Sequence, residues 1–140
     1  MCFLHVRVLF YLEKNMNNTE SLRKTADFHT VYKTGKSVAD NNIVVYVREN
    51  GLKINRLGIS ASKKVGNSIV RHRFARLVRE VYRLHENIFN SGLDIVVVAR
   101  TRAKEAGYFD IEKSFLTLAG KSHLRKNDEV NNEKDTDLSD

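Results

Sequence analysis

The alternation of apolar and polar positions divides the chain into elements before any other property is considered. In NNIVVYVREN, Ile43, Val45 and Val47 share one face while Val44, Tyr46 and Arg48 share the other, the two-residue period of a strand. A turn at Glu49–Asn50–Gly51 leads to INRLGISAS, a second strand with Leu57, Ile59 and Ala61 on one side. Its other side carries Arg56, Gly58, Ser60 and Ser62, a small polar surface that leaves room for something to lie against it. Leu93 to Ala99, LDIVVVA, is nearly all apolar, as expected of a strand covered on both faces.

Helical spacing marks three further segments. Thr25 can cap a helix bearing Phe28, Val31 and Tyr32 at i, i+3 and i+4, with Gly35 as its stop signal. A long helix is expected from about Ser68 to Phe89, ended by Ser91–Gly92. A last one runs from Asp110 to about Lys121 with Ile111, Phe115 and Leu118 inward, after a connection from Arg100 to Gly107. Proline is absent, so the breaks rest on Gly, Asn, Ser and Asp.

The folded region is expected to span residues 21–124, between an N-terminal extension (1–20) and a tail (125–140). Phe3 to Leu12 is apolar but interrupted by His5 and Arg7; it is too short for a membrane span and lacks a signal-peptide cleavage site. Met16 opens a polar stretch that reads like a protein start. Translation is therefore expected to begin there, which the intact mass of the native protein decides; the alternative is an extra strand or short helix packing on the body. The tail has few large apolar residues and is expected to be disordered.

Charge changes the picture. The 140 residues carry 24 Lys and Arg against 17 Asp and Glu, but the tail alone is net −3, which leaves +10 on residues 1–124. So basic a body favours a polyanionic partner, through release of condensed counterions. Composition alone does not separate RNA, DNA, an anionic membrane or a merely solvated cationic surface. Cys2 is the one cysteine, which excludes an internal disulfide and a cysteine zinc cluster and suits a reducing cytoplasm. The histidines at 5, 29, 72, 85 and 123 show no metal-ligand spacing.

The long helix narrows the choice. At about 100° per residue, Val70, Phe74, Leu77, Val78, Val81, Leu84 and Ile88 form one apolar arc, and Arg71, His72, Arg73, Arg76, Arg79 and Arg83 occupy the opposite side. Glu80 is the only acid among those arginines. A solvated face normally mixes both signs, whereas guanidinium groups bind phosphate in a bidentate fork and stack on bases. Lys63, Lys64 and Asn67 stand in a glycine-containing loop just before the ridge. Phe28, Tyr32 and Tyr46 supply rings on which unpaired bases stack well, although each taken singly reads more readily as an ordinary core or boundary aromatic.

The segment ISASKKVGNSIVRHRFARLVREVYR resembles the signature of the bacterial ribonuclease P protein family, a Ser-Lys-Lys-x-Gly-Asn loop followed by an arginine-rich helix called the RNR motif. The likeness extends upstream through ADFHTVYKTGKSV and downstream through GLDIVVVAR, covering roughly Ser21 to Leu124. It implies an α+β single domain in the order α-β-β-β-α-β-α, a four-stranded sheet packed with three helices. A left-handed βαβ crossover comes with it, where sequence rules alone would give the right hand. The resemblance implies contacts with the catalytic ribonuclease P RNA through Lys63, Lys64, Asn67, Arg71, His72, Arg73, Arg76, Arg79 and Arg83. It implies that Phe28, Tyr32 and Tyr46, with Arg48, Ser60 and Ser62, receive the 5′ leader of precursor tRNA. Two positions depart from the pattern: the family usually has Asn at His72 and often Lys at Ala75. Those changes leave the local hydrogen bonds and one cationic contact open to alteration.

Function follows from the resemblance: a cytoplasmic subunit of an RNA-based endonuclease that removes the 5′ leader from precursor tRNA. Hydrolysis would be carried by the RNA and Mg2+ held mainly by that RNA and the substrate. The protein would position and neutralise, with no catalytic side chain, no metal ligand and no membrane partner of its own. Three rivals stand beside it. A self-sufficient nuclease would need a cluster of acids, and Glu80, Glu86 and Asp94 do not form one by spacing. A ribosomal-type protein or RNA chaperone would show similar charge without dependence on the leader. A membrane-surface protein would have to use a ridge that is built into a core helix.

Overall fold

The computed structural model describes residues 18–122 and residue 124. The expectations about the start at Met16 and about the acidic tail lie outside the described residues. The elements are β1 (Thr19–Ser21), α1 (Thr25–Thr34), β2 (Lys36–Ala39), β3 (Ile43–Glu49), β4 (Asn55–Ser60), α2 (Ser68–His85), β5 (Leu93–Ala99) and α3 (Tyr108–Lys121), with 3-10 turns at Glu86–Ile88 and Thr101–Glu105. Among the described residues the class is α+β with three α-helices, but the sheet has five strands, in the order β1-β4-β5-β3-β2.

The expected count of four fails at β1. Thr19, Glu20 and Ser21 are polar and too few to show an apolar alternation, so nothing in the pattern marks them as a strand. They pair in parallel with Asn55, Arg56 and Leu57 of β4. Side chains fix the pairing: the Thr19 hydroxyl lies 2.8 Å from the Tyr82 hydroxyl and donates to Glu86 at 3.2 Å. Thr19 and Glu20, expected in the N-terminal extension, thus belong to the sheet.

β5 runs through the middle, parallel to β4 and antiparallel to β3. Ile95 and Val97 join Ile43, Val45 and Leu57 in a core closed by Phe74, Val78 and Val81 of α2 and by Ile111, Phe115 and Leu118 of α3. Val96 faces the other way, into a smaller cluster with Leu22 and with Val31 of α1, against which Phe28, Tyr46 and Val98 pack. The uninterrupted apolar run of β5 has this two-sided burial as its cause. Because β4 and β5 are neighbours and parallel, the chain between them must cross over, and α2 is that crossover.

The faces of α2 follow the apolar arc with one rotation. Phe74, Val78 and Val81 are buried and Val70, Leu77 and Ile88 half-buried, as the spacing predicts, but Leu84 is 49% exposed and Tyr82 is fully buried. Tyr82 takes the inward place at the last turn because its hydroxyl finds Thr19 and Asn55 beneath the ring. The helix also stops at His85, earlier than expected, and tightens into the 3-10 turn that carries Ile88. At α1 the residue before the helix is Lys24, with no side-chain cap, and Thr25 is the first helical residue. Gly35 ends α1 for a steric reason: a Cβ there would stand 2.6 Å from the Val31 carbonyl oxygen and 3.0 Å from that of Val47.

Asn55 is the buried polar residue on which several elements converge. Its amide donates to the Tyr82 hydroxyl at 3.1 Å and to the Asn90 carbonyl at 2.7 Å, and its oxygen accepts from the Leu93 N–H at 2.9 Å. Asn55→Ala leaves those groups without partners and should lower stability by about 2–4 kcal/mol. Urea unfolding checks this: the midpoint should fall while the slope stays the same.

Candidate nucleic-acid interface

The outward side of α2 is a row of cations. Asn67 begins the helix as its cap, its side-chain oxygen accepting from the Val70 N–H at 3.1 Å. Val65, buried at 3% exposure, pins the preceding loop to the core, so that Lys63 and Lys64 project into solvent. His72, Arg73, Arg76 and Arg79 are exposed along the helix. Arg71 and Arg83 are half-buried, and Nε of each, with one terminal nitrogen of Arg83, is shielded from water without a hydrogen-bond partner. Among the described residues no arginine of α2 forms an ion pair; the four ion pairs there belong to Arg48, Arg56 and His85.

Two open grooves run beside this row. One, of about 680 Å3, is lined on α2 by Ile69, His72, Arg73, Arg76, Leu77 and Glu80 together with Ser68. The other, of about 320 Å3, lies between α2 and the end of β4, where Arg71, Arg76 and Arg79 face Ile59 and Ala61 across Ala75. Ala75 therefore sits inside the cationic surface. His72 borders both grooves.

On the opposite face of the sheet, α1 lies over β4, β5 and β3 and forms an aromatic cleft. The Phe28 and Tyr32 rings are 6.3 Å apart, and Tyr32 meets Tyr46 edge-on at 5.0 Å. Across the strands Tyr46 registers with Val96 and Val96 with Gly58. Gly58 lets the helix come this close: a Cβ there would stand 2.7 Å from Cζ of Phe28. The open end of the cleft, about 330 Å3, is lined by Arg23, Phe28, His29, Tyr32, Ile59 and Ser60 with Thr25. A ring-lined trough of this kind, open to water and flanked by Arg23 and His29, suits unpaired bases better than a rigid duplex.

The family model for ribonuclease P matches residues 16–123. The chain belongs to the ribonuclease P protein family. The ribonuclease P protein component of Lachnoclostridium phytofermentans is 56% identical over 101 residues, 72% of this chain and 87% of that protein. The Staphylococcus aureus ribonuclease P protein superposes with a TM-score of 0.71 at 36% identity, over 76% of this chain and 97% of that one. For the ribonuclease P protein of Thermotoga maritima the TM-score is 0.65 at 33% identity, over 71% and 94%. As a ribonuclease P protein component, the chain is the protein subunit of an endoribonuclease that acts on precursor tRNA in 5′ maturation. The ribosomal-type and RNA-chaperone alternatives fall with that assignment, and among the described residues no helix is long and apolar enough to cross a membrane.

Within this ribonuclease P protein the fold brings together most of the residues that the sequence singled out. Phe28, Tyr32, Tyr46 and Ser60 share the cleft, Ser62 lies exposed beyond it, and Lys63 and Lys64 lead from there to the ridge. Arg48 is drawn aside, 3.5 Å from the buried carboxylate of Asp94. Arg23, His29 and Gly58 were not singled out as site residues; their polar or small side chains carry no period, and only the packing of α1 shows where they stand. Asp94 was weighed as a possible acid of a metal cluster. The structure gives it a different task. Arg56 grips it through Nε at 2.7 Å and a terminal nitrogen at 2.6 Å, and Asn50 donates at 3.0 Å. No three His, Cys, Asp or Glu side chains converge to hold a metal ion among the described residues.

Burial works to raise the Asp94 pKa, yet the hydrogen bonds from Arg56 and Asn50 and the charges of Arg56 and Arg48 outweigh it and hold the carboxyl below its usual 3.8. A depressed folded value adds stability that is complete above the unfolded pKa and is lost as pH falls through the folded one. Unfolding free energy should therefore lose this contribution only below about pH 4. Asp94→Asn strands Arg56 and should cost about 3 kcal/mol at neutral pH, with a shallower acid limb in a pH series of denaturation curves.

Proposed function

We propose that this subunit holds ribonuclease P RNA on the α2 ridge and the 5′ leader of precursor tRNA in the aromatic cleft. The observation that carries the reading is the row of exposed α2 cations without acidic partners, joined through Lys63 and Lys64 to a cleft of three contiguous rings on the other side of the sheet. Arg73, Arg76 and Arg79, with Lys63, Lys64 and His72, would take phosphates of the RNA subunit. Arg71 and Arg83 would do so through the parts of their guanidinium groups that reach solvent, and Asn67 would set the helix start. Phe28, Tyr32 and Tyr46 would stack leader bases beside Ser60 and Ser62, with Arg48 at the rim once it lets go of Asp94. The left hand of the β4–α2–β5 crossover belongs to the same reading.

In this reading the protein does no covalent chemistry. Mg2+, held by the RNA and the substrate, would supply metal-ion chemistry for the hydrolysis. The protein's own groups orient the leader in an extended form and lower the repulsion between two RNA backbones, so less Mg2+ is needed for assembly. The setting is the cytoplasm, where the single cysteine of the chain stays reduced.

Cleavage of end-labelled precursor tRNA by ribonuclease P RNA at low Mg2+, with and without the chain, tests this reading. Stimulation that requires a 5′ leader, and no cleavage by the protein alone, is the expected result; cleavage without the RNA would make the chain an enzyme in its own right. Replacing Arg73, Arg76 and Arg79 together by Ala should lower the slope of log affinity against log salt by about 2 to 3, with an unchanged circular dichroism spectrum. Gly58→Ala should act on the cleft instead. By displacing the Phe28 ring it should reduce the preference for leader-bearing over leaderless substrate by about five- to tenfold, while RNA-subunit affinity in filter binding stays the same.

A further inference from the structure

One large aromatic side chain takes no part in the core or in the cleft. Phe109, in the first turn of α3, is 78% exposed, the most exposed of the large apolar residues described. An isolated apolar side chain on a surface needs no explanation, but this one is held in place. Its ring meets Tyr108 edge-on at 5.4 Å, and the Tyr108 hydroxyl donates to Glu112 at 3.0 Å. Glu112 in turn lies 3.1 Å from Nε2 of His85, in the last turn of α2. The start of α3 is thereby tied to the last turn of the cationic helix, and Phe109 projects into solvent from that junction.

The surroundings narrow what it could meet. The groove of about 680 Å3 along Arg73 and Arg76 extends to Glu80, five residues before the His85 that Glu112 meets. A protein partner for so cationic a surface would have to be strongly acidic, whereas a nucleic acid supplies phosphates for the arginines and a flat base for the ring in one ligand. The chain's excess of positive charge lies on the folded body and not on its tail.

Building on the ridge reading above, we propose that Phe109 is a stacking platform for an unpaired nucleotide of ribonuclease P RNA, whose neighbouring phosphates lie along the α2 arginines. The RNA surface that the chain recognises is then a helix-flanking bulge or loop with at least one base turned out. It is not a continuous duplex, whose bases are already stacked. Tyr108, Glu112 and His85 position the ring and do not contact the RNA.

The chain has no tryptophan, so Phe109→Trp introduces a single fluorophore at the proposed contact. Titration of that full-length variant with ribonuclease P RNA should quench its emission by stacking, with an affinity near that of the parent. Phe109→Ala and Phe109→Leu should each weaken binding of the same RNA by about tenfold. The salt slope should not change, since no phosphate contact is lost. An unquenched tryptophan at saturating RNA, or parent-like affinity in the Ala or Leu variant, overturns the proposal. So does sedimentation in which Phe109→Ala converts a dimer to a monomer at unchanged RNA affinity, which would make the ring a contact between copies. If those results come while the Arg73, Arg76 and Arg79 triple variant still loses RNA affinity, the ridge reading stands and only the stacking platform fails. A parent chain that does not bind ribonuclease P RNA would sink the ridge reading itself.

Discussion

Phe74, Val78 and Val81, buried to within 2% of full enclosure, fasten α2 to the middle of the sheet. Each such side chain contributes about 1.5–3 kcal/mol by leaving water. Together they settle the rotation of the helix about its axis. Every arginine of the ridge inherits its direction from that rotation, because residues at a fixed spacing on a helix cannot choose their faces independently. A helix that serves both as the crossover between two parallel strands and as a cationic surface has little room to move. The same packing that stabilises the domain fixes the side of α2 from which the guanidinium groups project.

The sheet does comparable work for the second surface. β5 is covered on one side by α2 and α3 and on the other by α1, so one strand aligns the ridge with the cleft. Val96 fixes the depth of the cleft floor, and Gly58 beside it allows the Phe28 ring to settle over β4. Below the rings the face turns polar: Arg56 and Asp94 lock together, and Asp27 of α1 joins them 3.5 Å from Arg56. That network joins α1 to β4 and β5 at the inner end of the cleft, while the outer end stays open. The two surfaces lie on opposite faces of one sheet. Both surfaces are thus held by one rigid frame, each on its own side of β5.

His72 and Ala75 show how little the departures from the family pattern disturb this frame. Both lie on the outward half of α2 at the grooves and neither enters the core. Their effect is confined to the outward cationic face, where His72 offers ring nitrogens that can hydrogen-bond and Ala75 leaves a short gap in the row of charge. The last turn of the helix is different. Tyr82 reaches across to Thr19 and Asn55, so there the helix is tied by hydrogen bonds to the two strands at the sheet edge.

Features that repeat with a fixed period or rest on composition can be read directly from the chain. The faces of β3, the doubly covered β5, the inward positions of α3 and the separation of core from arginine ridge on α2 were all legible, because burial imposes a period of two or of about 3.6 on the residues that undergo it. The family signature around Lys63 to Arg83 was legible too, as an unusual string of local choices. Tertiary structure alone decided what depends on a partner distant in sequence. β1 is a strand only because β4 lies beside it, and Tyr82 displaces Leu84 from the interior because Thr19 and Asn55 wait there. Asp94 reads as a free acid until Arg56, 38 residues away, is folded against it. Such contacts leave no periodic trace in the chain, since each is a single meeting of two residues and not a repeated constraint on one face.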